Sequence, residues 1–275
     1  MKQWRRNRPR RNRLKGLSFN MLVPNLITVM ALCSGLSGLR FALAEKWEFA
    51  VGFVLLAAIF DALDGRMARL LRAQSKFGAE LDSLSDFVCF GVVPACILFL
   101  WSMQNIQNYG WMVVLSFATC AALRLARFNV KLEDDKPAFA YNYFTGVPAP
   151  AGAGAALLPM ILDFQLEPGL QDLPVLIAIW TVGIGLLMVS QVPTYSFKKM
   201  RIPQRLVLPV LIGCGLLVAA LVSAPWITLA VVIMVYLATI PMSFLSYRRL
   251  LAAAETLAQE RESEDQSDTD SRPET

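Results

Sequence analysis

The sequence predicts an all-α integral membrane protein, a polytopic bundle of about eight transmembrane helices. Of its 275 residues, 56% are hydrophobic and only 17% are charged, whereas a soluble domain carries about 25% charged residues. Apolar runs close to the length needed to cross a bilayer recur along the chain. Histidine is absent, so the chemistry cannot use the commonest general base or the usual catalytic zinc ligand.

Eight apolar segments are expected to form these helices. They cover residues 22–43, 48–72, 77–102, 108–129, 146–164, 172–193, 204–223 and 226–247. If the N-terminus lies inside, Lys and Arg concentrate in the inner connections, and only Lys46 falls in an outer one. This bias predicts eight spans in the cell (inner) membrane, with both termini cytoplasmic.

Charge and hydropathy divide the chain into four regions. A basic cytoplasmic segment, 1–20, precedes a membrane core, 21–200, which is followed by two additional helices, 201–250, and a disordered acidic tail, 251–275. The basic segment is expected to anchor topology and to touch anionic lipid rather than bind nucleic acid. The five cysteines lack ligand-like spacing and are expected to be buried apolar residues without disulfides.

Two of the apolar segments contain four aspartates: Asp61, Asp64, Asp82 and Asp86. A carboxylate at membrane depth costs roughly 2.5–3.5 kcal/mol, so such residues are rare and usually functional. Spacings of three and four residues place each pair on one helix face. A short turn around residues 73–76 would bring the pairs together as two rungs of a helical hairpin. Converging carboxylates suit a hard divalent cation, Mg²⁺ or Mn²⁺.

Small residues accompany these acids. Gly65 follows Asp64 directly, while Gly78 and Ala68 lie within one helical turn of an acid. A helical glycine costs about 1 kcal/mol relative to alanine, so it indicates close approach of another group. Close packing of membrane helices and a ligand lying against the backbone both explain these positions. Arg69, at the same end, can either pair with phosphate or extend to the interface.

The full spacing resembles the signature of the CDP-alcohol phosphotransferase family at all eight of its positions. It reads Asp61-x2-Asp64-Gly65-x2-Ala68-Arg69-x8-Gly78-x3-Asp82-x3-Asp86. Members are integral-membrane, usually dimeric enzymes that transfer a substituted phosphoryl group from a CDP-linked donor to an alcohol and release CMP. The resemblance therefore implies a six-helix CDP-alcohol phosphotransferase-like core. Further segments resemble the bacterial membrane-integral members that use serine: VPNLIT (23–28), SKFGAELDSLSDFVCFGVVPA (75–95), LRLARFN (123–129), FTGVPAPAGAG (144–154) and YSFKK (195–199).

The resemblance also implies roles for individual residues. The four aspartates would hold one or two divalent cations against the donor diphosphate, and Asp86 would also be the candidate general base. The cytidine nucleotide would contact Asn25, Thr28, Gly65, Ala68, Arg69 and Gly78. The implied substrates are CDP-diacylglycerol and L-serine, handled by a homodimer in the lipid bilayer, with no nucleic acid partner.

The acceptor is less well defined by the sequence than the donor. Arg124 and Arg127, three residues apart, could bind the serine carboxylate or the lipid phosphate, or could serve only as topology anchors. Another family member using a phosphorylated alcohol or choline stays an alternative, as does a cation transporter with intramembrane carboxylates. Four aromatic residues leave a choline-binding cage open: Phe139, Tyr141, Tyr143 and Phe144.

Overall fold

A computed structural model describes residues 19–106, 108–131, 143–166, 169–190, 193–195 and 207–242. The helices are α1 Phe19–Leu43, α2 Trp47–Leu70, α3 Lys76–Asp86, α4 Val93–Trp101, α5 Asn108–Lys131, α6 Ala149–Leu166, α7 Pro174–Val189, α8 Val207–Ser223 and α9 Pro225–Met242. A π-helical segment, Phe87–Val92, joins α3 to α4 in one continuous helix, Lys76–Trp101. Two short 3₁₀ helices occupy Met103–Ile106 and Leu170–Asp172.

The molecule is a helical membrane protein, and each of the eight predicted apolar segments contains a helix. Four helices of the described chain are long and apolar enough to cross a membrane: Leu22–Leu43, Lys76–Trp101, Asn108–Val130 and Pro225–Met242. Helices α7 and α8 are apolar but shorter. The membrane character follows from these lengths and compositions, and eight crossings stay a prediction.

The sequence did not predict a short two-stranded β-ladder. Strands β1, Tyr143–Thr145, and β2, Pro193–Tyr195, form an antiparallel ladder with Tyr143 opposite Tyr195. Strands of three residues are too short to show the alternating pattern that reveals a strand in a sequence. The ladder joins the start of α6 to the segment after α7.

Small residues allow the central helices to approach one another closely. An added Cβ at Gly38 of α1 would lie 2.9 Å from the carbonyl oxygen of Ala50 on α2. An added Cβ at Gly91 would lie 2.8 Å from Cβ of Ala121 on α5. Such contacts are typical of membrane helix packing. The continuous helix Lys76–Trp101 contacts α1, α5 and α6.

A tight turn makes the α2–α3 hairpin that the sequence predicts. Arg72 adopts the left-handed conformation, with φ of 49°, and the amide of Ala73 donates to the Ala68 carbonyl at 3.0 Å. This is a helix-ending Schellman turn, in which the left-handed residue is more often glycine. Helix α3 begins directly afterwards, because Ser75 Oγ accepts a hydrogen bond from the Gly78 amide at 3.0 Å.

The last two helices differ in their packing. Helix α9 buries Ile233 and packs Trp226 edge-on against Phe164 of α6, with ring centroids 5.1 Å apart. Helix α8 buries none of its side chains against the rest of the described chain.

Two of the five cysteines, Cys33 and Cys214, are exposed, so the expected burial is wrong for these two. In a membrane, an exposed thiol of this kind faces lipid at no great cost, because cysteine is itself apolar.

Residues 1–18 and 243–275 lie outside the described part of the chain. They contain most of the predicted basic segment 1–20 and the whole of the predicted acidic tail 251–275. The division into four regions therefore stays a prediction.

Candidate active site

Helices α2 and α3 bring the four aspartates together. Carboxylate oxygens of Asp61, Asp64 and Asp82 lie within 4.8 Å of one another. Asp86, one turn beyond Asp82, interacts electrostatically with Asp61. Asp64 is only 4% exposed, and the other three are partly buried. The acids thus converge across the hairpin, as the helical spacing predicts.

Helix α1 fixes the orientation of one of these carboxylates. Thr28 Oγ1 donates to Asp64 Oδ2 at 2.5 Å, and Thr28 is 5% exposed. Ser85 of α3 donates to the carbonyl oxygen of Thr28 at 3.4 Å, so three helices meet at this point. Partners of this kind hold a ligand carboxylate in a fixed direction. Thr28, predicted as a nucleotide contact, therefore also positions Asp64.

The arrangement fits a divalent cation. Asp82 Oδ1 is buried and has no hydrogen-bond partner among the described residues, and an unpaired buried acceptor is costly. Three converging carboxylates also repel one another unless a positive charge lies between them. The donors are all oxygen atoms, which hard divalent cations prefer. The cluster is therefore suited to hold such an ion.

A cavity of about 470 Å³ opens beside this cluster, between α1, α2 and α3. All six predicted nucleotide contacts line it, together with two of the aspartates: Asn25, Thr28, Gly65, Ala68, Arg69, Gly78, Asp64 and Asp82. Sequence reasoning missed Gln74 and Ser75, which also line it. The signal was available, since both lie in the turn that joins the two aspartate helices. Asp61 and Asp86 do not line the cavity.

The two glycines beside the acids serve different purposes. An added Cβ at Gly65 would meet only Arg69 Nη1, at 3.8 Å, so this glycine leaves the backbone open to the cavity. An added Cβ at Gly78 would lie 2.8 Å from Asn25 Oδ1. Gly78 therefore makes room for a neighbouring side chain, whereas the space beside Gly65 is open. Close packing explains Gly78, and a ligand against the Gly65 backbone stays a prediction.

The predicted acceptor residues Arg124 and Arg127, both on α5, separate in the structure. Arg127 Nη1 donates at 2.7 Å to the carbonyl oxygen of Val189, the last residue of α7. This satisfies a carbonyl that has no partner within its own helix. Arg124 instead interacts electrostatically with Asp86 and Asp61. Only Arg124 is thus directed toward the aspartate cluster.

The aromatic residues considered for choline are only partly covered by the structure. Phe139 and Tyr141 lie outside the described residues. Tyr143 and Phe144 belong to strand β1, and their backbone pairs with β2. The choline cage stays a prediction.

Asp86 lies at a change in helix geometry. It is the last residue of α3, and the π-helical segment begins at the next residue. π-helical turns within α-helices occur frequently at functional sites. Cys89, inside this segment, donates from Sγ to the Ala31 carbonyl at 3.4 Å, so the segment is held against α1.

Comparison with known proteins agrees with this site. The family model for CDP-alcohol phosphatidyltransferase matches residues 21–191, and the chain belongs to that family of enzymes. A second family model, CDP-alcohol phosphatidyltransferase 2, matches residues 205–241. The second match covers α8 and most of α9, which the sequence analysis left outside the common core.

Curated relatives named CDP-diacylglycerol–serine O-phosphatidyltransferase match most of the chain. The relative from Mycobacterium tuberculosis is 39% identical over 238 residues, covering 86% of this chain and 82% of its own length. The relative from Helicobacter pylori is 35% identical over 195 residues, covering 71% and 81%. That from Bacillus subtilis is 34% identical over 177 residues, covering 64% and 92%. The resemblance inferred from the aspartate spacing is confirmed, and it explains the glycine and arginine positions that a cation transporter does not.

Proposed function

We propose that the protein is a CDP-diacylglycerol–serine O-phosphatidyltransferase of phospholipid biosynthesis, which transfers the phosphatidyl group of CDP-diacylglycerol to the hydroxyl of L-serine and releases CMP. One observation carries the reaction class: three converging aspartates adjoin a cavity of about 470 Å³. The names of the relatives from three bacterial genera support serine as the acceptor.

The donor nucleotide would occupy the cavity. Gly65 exposes its backbone there, Asn25 offers an amide, and Arg69 offers a guanidinium to phosphate oxygens. Asp61, Asp64, Asp82 and Asp86 would hold one or two cations, Mg²⁺ or Mn²⁺. When bound, the cation neutralises the diphosphate and stabilises the charge that develops on the departing CMP.

The chemical step requires one bond to form and one to break. The serine hydroxyl oxygen forms a bond to the phosphorus that carries diacylglycerol. The bond from that phosphorus to the bridging oxygen breaks, and CMP leaves with the electron pair. Asp86 would accept the hydroxyl proton, and its position beside the cluster but outside the cavity walls supports this role. Transfer of this kind depends mainly on positioning and electrostatics.

All eight predicted spans would cross the cell (inner) membrane, α3 and α4 forming one of them. Both termini would be cytoplasmic, and the active site would lie near the cytoplasmic face. The distribution of Lys and Arg supports this orientation. The cavity residues Gln74 and Ser75, in the α2–α3 turn, agree with a site close to that face. The first six spans would form the family core, α8 and α9 an addition, and the resemblance supports a homodimer.

The deciding experiment is an acceptor panel. Membranes containing the protein, CDP-diacylglycerol and Mn²⁺ should convert radiolabelled L-serine into phosphatidylserine, with CMP formed in equal amount. Glycerol 3-phosphate, inositol phosphate and choline should give no labelled lipid. Incorporation of one of these instead of serine would show that the acceptor is wrong while the family assignment holds.

Chelation provides a separate test of the metal. Removing divalent cations should abolish CMP release, and adding Mg²⁺ or Mn²⁺ should restore it, because the carboxylates alone cannot neutralise the diphosphate. Full activity in excess chelator would contradict the metal site and leave the acceptor question untouched.

A further inference from the structure

Two polar groups outside the metal cluster are buried without a hydrogen-bond partner in the described part of the chain. They are Nε of Arg124, on α5, and the hydroxyl of Tyr236, on α9. The two side chains interact with each other electrostatically. An unpaired buried donor costs about 1–3 kcal/mol. Two such donors that interact with each other indicate a ligand with an anionic oxygen.

Arg124 and Tyr236 are separate from the donor cavity. Arg124 interacts with Asp86 and Asp61, the two aspartates that do not line the cavity. Neither Arg124 nor Tyr236 lines it. Among the described residues, Arg124 forms no ion pair within 4.0 Å. The guanidinium of Arg124 and the candidate base Asp86 thus interact electrostatically without forming a close ion pair.

We propose that Arg124 and Tyr236 bind the carboxylate of the amino-acid acceptor, so that helix α9 completes the acceptor site. This inference rests on the proposed function. A carboxylate accepts from both a guanidinium N–H and a phenol O–H, and its two oxygens can take both bonds. Serine is small, so a carboxylate held at Arg124 leaves the hydroxyl close to Asp86. Tyr236 is a positioning residue for the acceptor.

The charge of Arg124 favours an amino acid over an acceptor without a carboxylate. The carboxylate of an amino acid matches a buried guanidinium that has no close ion pair. Choline would leave Arg124 without an anion. The donor phosphates are accounted for elsewhere, by the cluster and by Arg69 in the cavity wall.

The first experiment is Tyr236→Phe, which removes only the hydroxyl. We expect KM for L-serine to rise at least about tenfold, the effect of one hydrogen bond to a charged group, with KM for CDP-diacylglycerol and kcat within about twofold of the original protein. Thr228→Val is the matched control, since it removes a hydroxyl from the same helix that bonds only to the Ala224 carbonyl. It should change none of these constants.

The second experiment compares L-serine with L-serinamide, which lacks the carboxylate. The unaltered protein should prefer serine strongly, and both Tyr236→Phe and Arg124→Lys should narrow that preference. If Arg124 and Tyr236 have only a structural role, the variants should lower the rates with serine and with serinamide equally. An unchanged ratio of these two rates would overturn the inference. A rise in KM for CDP-diacylglycerol with the ratio preserved would also overturn it, because the pair would then bind donor phosphate. If the unaltered protein incorporates no serine, the proposed function itself fails, which is a distinct result.

Discussion

The two sides of the aspartate cluster are built differently. The donor side comes from one continuous stretch of chain, in which α1, α2, α3 and the α2–α3 turn supply every residue that lines the cavity, from Pro24 to Asp82. The proposed acceptor side comes from Asp86, Arg124 and Tyr236, which are far apart in the sequence and lie on three helices. On this proposal, local spacing encodes the donor side, whereas the acceptor side depends on long-range packing.

The largest effect is expected at Asp64, which belongs to the aspartate cluster between the two sides. Asp64→Asn should lower turnover by at least about 1,000-fold with every acceptor, because it removes a ligand worth several kcal/mol of transition-state stabilisation. CMP release at saturating Mn²⁺ measures the effect. Glu48→Gln is the control, because it also replaces a carboxylate by an amide, at an exposed position in the first turn of α2. Near-normal turnover in Asp64→Asn would contradict the metal site.

A smaller effect is expected where α1 supports the cluster. Thr28→Val keeps the side-chain shape but removes the hydrogen bond to Asp64. Loss of such a partner typically costs about 10–100-fold in metal affinity or activity, so the concentration of Mn²⁺ for half-maximal rate should rise by that order. An unchanged Mn²⁺ titration would show that α1 does not act through Asp64.

The donor side alone should respond to a methyl group added inside the cavity. Gly65→Ala should raise KM for CDP-diacylglycerol about tenfold, the order of effect that one methylene has in a binding pocket, and leave KM for serine unchanged. Gly183→Ala on α7 is the matched control, because nothing lies within 4 Å of its added Cβ. Equal effects of both changes would mean that Gly65 matters only as a helical residue.

The smallest catalytic effect is expected at the second arginine of α5. Arg127→Gln should lower the free energy of unfolding by about 1–3 kcal/mol, because it removes a hydrogen bond to the carbonyl of Val189. Activity per folded molecule and KM for serine should stay unchanged. Thermal melting in detergent, measured beside the kinetics, checks this. A raised KM for serine would assign Arg127 to the acceptor side and break the distinction from Arg124.

These contrasts mark how far the sequence could predict the molecule. The lengths of the apolar runs were sufficient for the helices of the eight segments, and helical spacing was sufficient for the convergence of the aspartates, since both depend on neighbours in the chain. The sequence could not separate Arg124 from Arg127, because only the position at which α7 ends distinguishes them. Tyr236 was missed for the same reason: its proximity to Arg124 depends on how α9 packs. The ladder of β1 and β2 carried no detectable pattern.

The π-helical segment Phe87–Val92 changes the direction in which side chains point around the axis of one helix. A π turn holds an extra residue compared with an α turn, so the side chains before and after it are rotated relative to an uninterrupted helix. The preceding part directs Asp82 and Asp86 toward α2, and the following part buries Ile97 and Leu98 in the core. Removing one residue from the segment would rotate one part by about 100° relative to the other. The irregular turn thus lets the aspartate-bearing end and the core-buried end of a single helix each meet its own partners.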